Sequence, residues 1–448
     1  MIAYSARNRA KKAMEQIEKL AVRLDGRLVG VLSPGDERPQ YVFTYLPETP
    51  AQDFISLAMP VRAASYIWPE GLHPIFQMNL PEGYQRELLH RRLGPNMPAD
   101  DFHLLALTGA RGIGRLSIHW WDQAPATLSG FPSVDLLAYP DSREALLDAL
   151  SRIDSEGISG VMPKALTLPP DEKLTISTDE WILKTGRQDT PGIAINEFLC
   201  MELAREMGLP VPDTHLSHDG NVIAVKRFDR LDGQPIGLED FCSLMGMPPE
   251  MKYGTSMEAI AKHLKNWCAP SKKNDSAIRL VEMIILNLVV RNADAHSKNY
   301  AMLYSTREDA TLAPVYDVVS VTAYPEYSQS PFGLSIGGRK AWNLRKELEQ
   351  FSLERLNLNK NTVTAGVEKI SVALKKVLPR IAEYAEKYPD FRETGKRMML
   401  LWQEGFAMTA GISNVAAKTD FAAPNLSDKE RKNKPRTSKQ TMNPEKFE

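Results

Sequence analysis

Cysteine is nearly absent from this chain. Cys200, Cys242 and Cys268 are the only three in 448 residues, an odd number with no CxxC spacing, which argues against a disulfide framework and against a thiolate zinc site. Long hydrophobic runs are missing too. No stretch approaches the roughly 18 uninterrupted apolar residues of a membrane-spanning helix, and the basic N-terminal residues have no apolar segment behind them. Neither sign of charge is in excess: 55 Lys and Arg stand against 56 Asp and Glu, a net charge of −1, so nothing global demands nucleic acid or a membrane surface. No internal repeat is present. These absences point to a cytoplasmic protein in a reducing compartment, without membrane contact and with direct nucleic-acid contact weak or absent. What remains, 43% hydrophobic and 25% charged, is the composition of a folded chain long enough for two or three domains.

The densest polar cluster follows a long apolar stretch. Asn292-Ala293-Asp294-Ala295-His296-Ser297-Lys298-Asn299 packs six polar functional groups into eight residues. Asp294 and Asn299 stand five apart, the spacing at which protein kinases carry the Asp that accepts the substrate hydroxyl proton and the Asn that holds magnesium. A second acid, Asp317, lies among the apolar residues of Ala313 to Ser320, which predict a short buried strand aiming a metal-binding carboxylate. The apolar stripe Ile278, Val281, Ile284, Ile285 and Leu288 predicts a helix over 277–291, capped by Asp275 or Ser276, that presents the cluster at its C-terminal end.

Upstream, Trp181-Ile182-Leu183-Lys184 predicts a strand ending in a lysine. By itself such a lysine is a strand end in solvent; kinases hold one there to pair nucleotide phosphates and a helix glutamate. Ile193 to about Gly208 predicts a helix with Glu197 near its start, where the acid either complements the helix dipole or pairs that lysine. Asn221 to Val225 predicts a strand running into Lys226-Arg227-Phe228, the place where a kinase offers main-chain groups to adenine, although Phe228 could equally be core. Gly157 to Lys164 is a small-residue loop suited to bringing backbone amides close to phosphate oxygens. Gly109 to Gly114 lacks the Walker lysine and reads as a turn before a strand.

With these stretches in place, the sequence resembles the HipA family of bacterial serine/threonine kinases, the toxins of toxin–antitoxin systems. The resemblance rests on Ile158-Ser159-Gly160-Val161-Met162-Pro163-Lys164, Trp181 to Lys184, Asn196-Glu197-Phe198-Leu199-Cys200, Val225-Lys226-Arg227-Phe228-Asp229-Arg230, Asn292 to Asn299 and Tyr316-Asp317, in the family's order. It implies an α+β, HipA-like protein-kinase fold: a small β-rich N-terminal domain and a kinase core with a largely helical C-terminal lobe. It implies ATP and Mg as cofactors. Asp294 would be the catalytic residue, and Asn299 and Asp317 the metal ligands. Ser159 to Lys164, Lys184, Lys226, Arg227, Phe228, His296, Lys298 and Tyr316 would line the nucleotide, with Ser159 also an autophosphorylation site. The implied partners are a protein substrate such as an aminoacyl-tRNA synthetase and a small DNA-binding antitoxin. Two departures stand out. His296 follows the catalytic Asp, where ordinary kinases write His-Arg-Asp, and Gly157 sits where many family members have a second serine. Glu239 to Cys242 and Lys252-Tyr253-Gly254 resemble family segments without revealing a role.

The expected organisation is an N-terminal helix over 1–19, the small β-rich domain over 20–125, a nucleotide-binding small lobe over 126–230, a helical catalytic lobe over 231–412 and a disordered tail over 413–448. Within these, Asp25-Gly26 predicts a hairpin, 84–93 a helix, Pro169 to Glu172 a hairpin tip, Thr362 to Tyr388 a helix broken or kinked at Pro379, and Phe391 to about Ala410 another. Two alternatives stay open: a nucleotide-binding regulator without catalysis, and a metal-dependent hydrolase using Asp294, His296 and Asp317.

Overall fold

The structure, a computed structural model, describes residues 14–36, 40–81, 86–87, 89–90, 93, 98–121, 134–148, 174–186 and 189–412. The predicted 1–19 helix (all but its last residues), most of the 84–93 helix, the Gly157 to Lys164 loop, the 169–172 tip and the tail lie outside them. Strands β1 (Leu20–Leu24) and β2 (Arg27–Pro34) are joined by Asp25-Gly26. Both turn residues have positive φ, 50° and 77°, as a two-residue hairpin whose twist matches its strands requires. Strands β3 (Tyr41–Tyr45), β4 (Tyr66–Trp68) and β5 (Leu116–Trp120) complete an antiparallel sheet of order β4-β3-β2-β1-β5. Its inward residues, among them Leu20, Val22, Phe43 and Ile118, share a core with Phe102, Leu104 and Leu105 of helix α1 (Asp101–Thr108). The Asp100 carboxylate caps α1 by accepting the His103 N–H at 3.1 Å. Gly109 to Gly114 is indeed a turn, a short 3-10 segment followed by Gly114 at φ 71°.

A second antiparallel sheet carries Lys184, the first of the candidate site residues with a described position. Strands β6 (Leu174–Ser177), β7 (Trp181–Thr185), β8 (Thr214–Leu216) and β9 (Val222–Lys226) run in the order β6-β7-β9-β8. Side chains alternate across a strand. Leu183 therefore joins Val222, Ala224 and Leu146 on one face, while Lys184, opposite Ile223, points to the other. There helix α2 (Ile193–Glu206) packs Ala194 and Phe198 against Ile223 and Val225. The chain leaves α2 through Gly208 at φ 81°.

The two sheets are tied together just beyond β9. The Arg227 guanidinium grips Asp229 with bonds of 3.0 and 2.6 Å and reaches the Gly112 carbonyl at 3.0 Å, while the Gly114 N–H donates to Asp229 at 2.7 Å. After the short hairpin β10 (Arg230–Leu231) and β11 (Gln234–Pro235), strand β12 (Gly237–Asp240) pairs with β13 (Ala301–Tyr304), and β13 with β14 (Thr311–Leu312). Buried Glu239 on β12 accepts bonds from Ser56 and Leu57 of the N-terminal region and from Tyr304. A buried carboxylate with three donors is far less costly than a bare one.

The longer helices that follow are α3 (Met257–Trp267), α4 (Lys273–Val289), α5 (Arg345–Glu354), α6 (Thr362–Lys387) and α7 (Arg392–Ala410). Helix α4 is the axis of this part, with every residue from Leu280 to Val289 buried. Its start differs from expectation. The N-cap is Lys272, after a 3-10 turn over Pro270–Lys272; Asp275 instead pairs Arg279 at 2.8 Å, and the Ser276 hydroxyl lies within 3.1 Å of Thr311 inside the core. Burial of Ser276 makes it a packing residue, so the cap signature misplaced the helix start. Helix α6 continues through Pro379, held by Val377, Leu378 and Ile381 in the core on either side of it. Gly405 lets α7 touch the end of α4, because a Cβ there would come within 2.3 Å of the Val289 carbonyl.

Candidate active site

The site forms where α4 ends. Val290 closes the helix and Arg291 takes φ 58°, turning the chain out of the helical path. Three amides then fix the loop. Asn287 donates to the Met283 carbonyl at 2.8 Å, Asn292 donates to Asn287 Oδ1 at 2.8 Å, and the Asp294 N–H donates to Asn292 Oδ1 at 3.0 Å. Asp294 thus hangs from the last turns of a buried helix. A short 3-10 turn, Ser297–Asn299, follows. Within it Asn299 Oδ1 accepts the His296 N–H at 2.9 Å, while Asn299 Nδ2 donates to Asp317 Oδ2 at 3.0 Å.

Asp317 is not on a strand, contrary to the sequence reading. The strand ends at Leu312, and Asp317 has φ 56°, a left-handed conformation that no extended strand allows. The apolar residues before it are spent on other partners: the Ala313 N–H on the Ala301 carbonyl at 2.8 Å and the Val315 N–H on the Pro210 carbonyl at 2.8 Å. Left-handed backbone at a polar residue in a site is a cost of order 1–3 kcal/mol that surrounding packing must hold in place. Asn196 of α2 does part of the holding. Its side chain accepts the Ser320 N–H at 2.8 Å and donates to the Ser320 carbonyl at 3.2 Å, and the Ser320 hydroxyl bonds the Val290 carbonyl at 2.6 Å.

Lys184 joins the two halves. Its ammonium lies 2.7 Å from Glu197 Oε1 and 2.6 Å from Asp317 Oδ1. Burial by itself would push the Lys184 pKa down, but Asp317 and then Glu197 outweigh it and the net direction is upward, so the lysine is a fixed cation. Glu197 therefore does more than complement a helix dipole. Its side chain is 5% exposed, and removing one member of a buried ion pair leaves the other uncompensated, at about 3–5 kcal/mol. We expect Lys184→Met to lose about that much in urea denaturation, with Glu197→Gln in the same chain recovering most of it.

Other groups line the same space. Burial pushes the His296 imidazole down to about 4 against the pull of Asp294, whose Oδ1 is 3.9 Å from Nε2, so His296 is neutral at neutral pH. Burial lowers Lys298 to about 8, with Asp317 opposing it. The Tyr316 hydroxyl donates to the Lys298 carbonyl at 2.6 Å, and its ring lies 5.4 Å from that of Phe228. Of Lys226, Arg227 and Phe228, it is Phe228 whose side chain packs against Tyr316, the neighbour of Asp317. The Lys226 ammonium sits 3.5 Å from exposed Asp213, and the Arg227 side chain is committed to Asp229, Gly112 and Thr178. Among the described residues no group of three or more His, Cys, Asp or Glu side chains gathers as a metal cluster.

Comparison with known proteins shows the family. The HipA N-terminal domain family matches residues 20–119, and the HipA-like C-terminal domain family matches residues 157–378. The kinase-named protein Y4mE of Sinorhizobium fredii is 32% identical over 358 residues, covering 72% of this chain and 82% of that protein. The chain belongs to the HipA family. The serine/threonine-protein kinase toxin HipA of Shewanella oneidensis is 31% identical over a shorter stretch of 157 residues, 31% of this chain and 36% of that one. A solved HipA from the same organism, in a complex with HipB and its operator DNA, superposes with a TM-score of 0.65 at 19% identity and covers 88% of this chain and 97% of that one. The α+β fold is accordingly that of HipA.

In this member of the HipA family the structure brings Lys184, Asp294, His296, Lys298, Asn299, Tyr316 and Asp317 together. Sequence reading gave no site role to Asn196 and none to Tyr253, whose hydroxyl bonds Asp294 from 41 residues away. Asn196 stands inside a motif that carries the family resemblance, which was its only signal; Tyr253 had a comparable one in Lys252-Tyr253-Gly254. No helix among the described residues is long and apolar enough to cross a membrane.

Proposed function

We propose that this protein is an ATP- and Mg-dependent serine/threonine protein kinase, the toxin of a toxin–antitoxin pair. One observation carries the reading: Lys184 bridges Glu197 and Asp317 while Asn299 bonds the same Asp317, three residues from the Asp294 loop's histidine. These are the parts that phosphoryl transfer uses, assembled from four separate segments. Asp294 orients the attacking serine or threonine hydroxyl and takes its proton as the oxygen bonds the γ-phosphorus and ADP leaves. Lys184 offsets charge on the phosphate oxygens. Phe228 and Tyr316 offer apolar ring surface beside the chain segment that follows β9, where adenine would lie.

The donor set fits magnesium. Asp317 supplies a carboxylate, 31% of its side chain exposed, and Asn299 Oδ1 keeps a lone pair beyond the one that accepts the His296 N–H; hard oxygens suit this ion. Bound there, it would neutralise charge between the β- and γ-phosphates. Ser159 to Lys164 would supply amides to the phosphates, and Lys226 and Arg227 main-chain groups.

The proposed antitoxin is a small DNA-binding protein, by analogy with the HipB that accompanies the Shewanella HipA. The proposed substrate is a translation-related protein such as an aminoacyl-tRNA synthetase. Incubation of the purified protein with labelled ATP, magnesium and a cell lysate tests the activity and finds the substrate; a labelled protein band is expected, and its absence supports a non-catalytic regulator. Ser159 is proposed as an autophosphorylation site that restrains the kinase. A phosphoserine adds about −1.5 to −2 charges, which beside a triphosphate would repel ATP and compete for the same amides. Mass spectrometry after incubation with ATP should find phosphate on Ser159 in the active protein and none in Asp294→Ala.

A further inference from the structure

The Tyr253 hydroxyl donates a hydrogen bond to Asp294 Oδ1. Nothing in the spacing of the catalytic loop requires a tyrosine at its acid, and this one is held from several sides. The Ser297 N–H and hydroxyl both donate to the carbonyl of neighbouring Lys252, at 3.2 and 2.9 Å, stapling the segment to the catalytic loop. The Tyr253 carbonyl accepts from Lys340 Nζ at 3.1 Å. Its ring meets the His296 ring edge-on, centroids 5.1 Å apart at 81°. The backbone that carries the phenol is therefore anchored to the catalytic loop, and the His296 ring contact and the Asp294 bond hold the side chain's direction.

The consequence lies in which carboxylate oxygen remains. Oδ1 takes the phenol and also faces His296 Nε2 at 3.9 Å. Among the described residues Oδ2 accepts from no donor, and a fifth of the Asp294 side chain is exposed. A carboxylate held only by its backbone turns about its last torsion and presents either oxygen. One pinned at Oδ1 presents Oδ2. Tyrosine suits this task because a neutral donor orients the carboxylate without cancelling its charge, whereas a lysine or arginine would do both.

We infer that Tyr253 is a positioning residue for phosphoryl transfer, locking Asp294 so that Oδ2 receives the acceptor hydroxyl. This rests on the kinase reading above. The bond replaces rotational averaging with one productive orientation, and misplacement on the scale of 1 Å costs up to ~100-fold in rate.

The test uses the full chain, labelled ATP and the lysate protein that the wild type phosphorylates. Tyr253→Phe keeps the ring against His296 and removes only the hydroxyl. It should lower kcat roughly 10- to 100-fold, with ATP affinity, the KM for the acceptor and the melting temperature unchanged. In an Asp294→Ala background, Tyr253→Phe should bring no further loss of residual single-turnover transfer, because the group it acts through is gone. Wild-type kcat in Tyr253→Phe overturns the inference. So does a loss that persists in the Asp294→Ala background, which would mean a structural role, and so does a rise in kcat, which would mean that the phenol competes with the acceptor. A wild type that transfers no phosphate overturns the kinase reading itself, and is recognised before any variant is compared.

Discussion

Asp294→Ala should bind ATP almost as the wild type does and transfer phosphate ~10²- to 10⁴-fold more slowly, the range for losing a positioned general base. The split follows from where the carboxylate sits. Asp294 bonds Asn292 and Tyr253, and none of its contacts reaches Lys184 or Asp317. In the role proposed for it, its loss removes an interaction made as the acceptor proton moves, so kcat should fall while nucleotide affinity stays. Calorimetric ATP titration beside single-turnover transfer measures both halves. Undiminished transfer would remove Asp294 from the chemistry. A large loss of ATP affinity would place it on the nucleotide side instead.

Asp317→Ala should fail at both steps. Asp317 lies between Lys184 at 2.6 Å and Asn299 at 3.0 Å, so its removal takes away the carboxylate proposed for the metal and one of the two anions that fix Lys184. Groups that stabilise the bound nucleotide and the transition state alike lower affinity and rate together. We expect magnesium-dependent ATP affinity to fall by at least ~10-fold and activity to drop below detection, since a metal clamp is worth several kcal/mol. Fold stability should change less than in Lys184→Met, because Asp317 is part-exposed and Glu197 still pairs the lysine. Unchanged ATP–magnesium affinity by calorimetry would move the metal site elsewhere.

The contrast between these two acids also shows what could be read from the chain alone. Asp294 and Asn299 stand five residues apart, and that local spacing is what reads them as a pair. The β1–β2 hairpin, β7, α2 and the long α4 were legible for the same reason: a period of two or 3.6 and a Gly or Asp-Gly punctuation are local signals. The Asp317 strand was misread because its apolar neighbours match a buried strand by composition, while the left-handed φ at Asp317 is imposed by contacts with Ala301, Pro210 and Asn196 that composition does not carry. The start of α4 was misread because a serine that looks like a cap is equally at home in a core, where Ser276 meets Thr311.

By itself, then, the sequence determined the chemistry on offer: a lysine on a strand, an acid and an amide at kinase spacing, a second acid downstream, and the order that marks the HipA family. Tertiary structure alone decided how those groups meet. It decided between the two readings of Glu197 by making it the partner of Lys184, drew Asp317 to that lysine across 133 residues, committed the Arg227 side chain to Asp229 rather than to a ligand, and set Tyr253 against Asp294. The physical reason is that a local pattern fixes only which face of an element a side chain occupies. Which faces come together depends on burying the shared apolar core around α4, a sum over many distant residues that no single motif records.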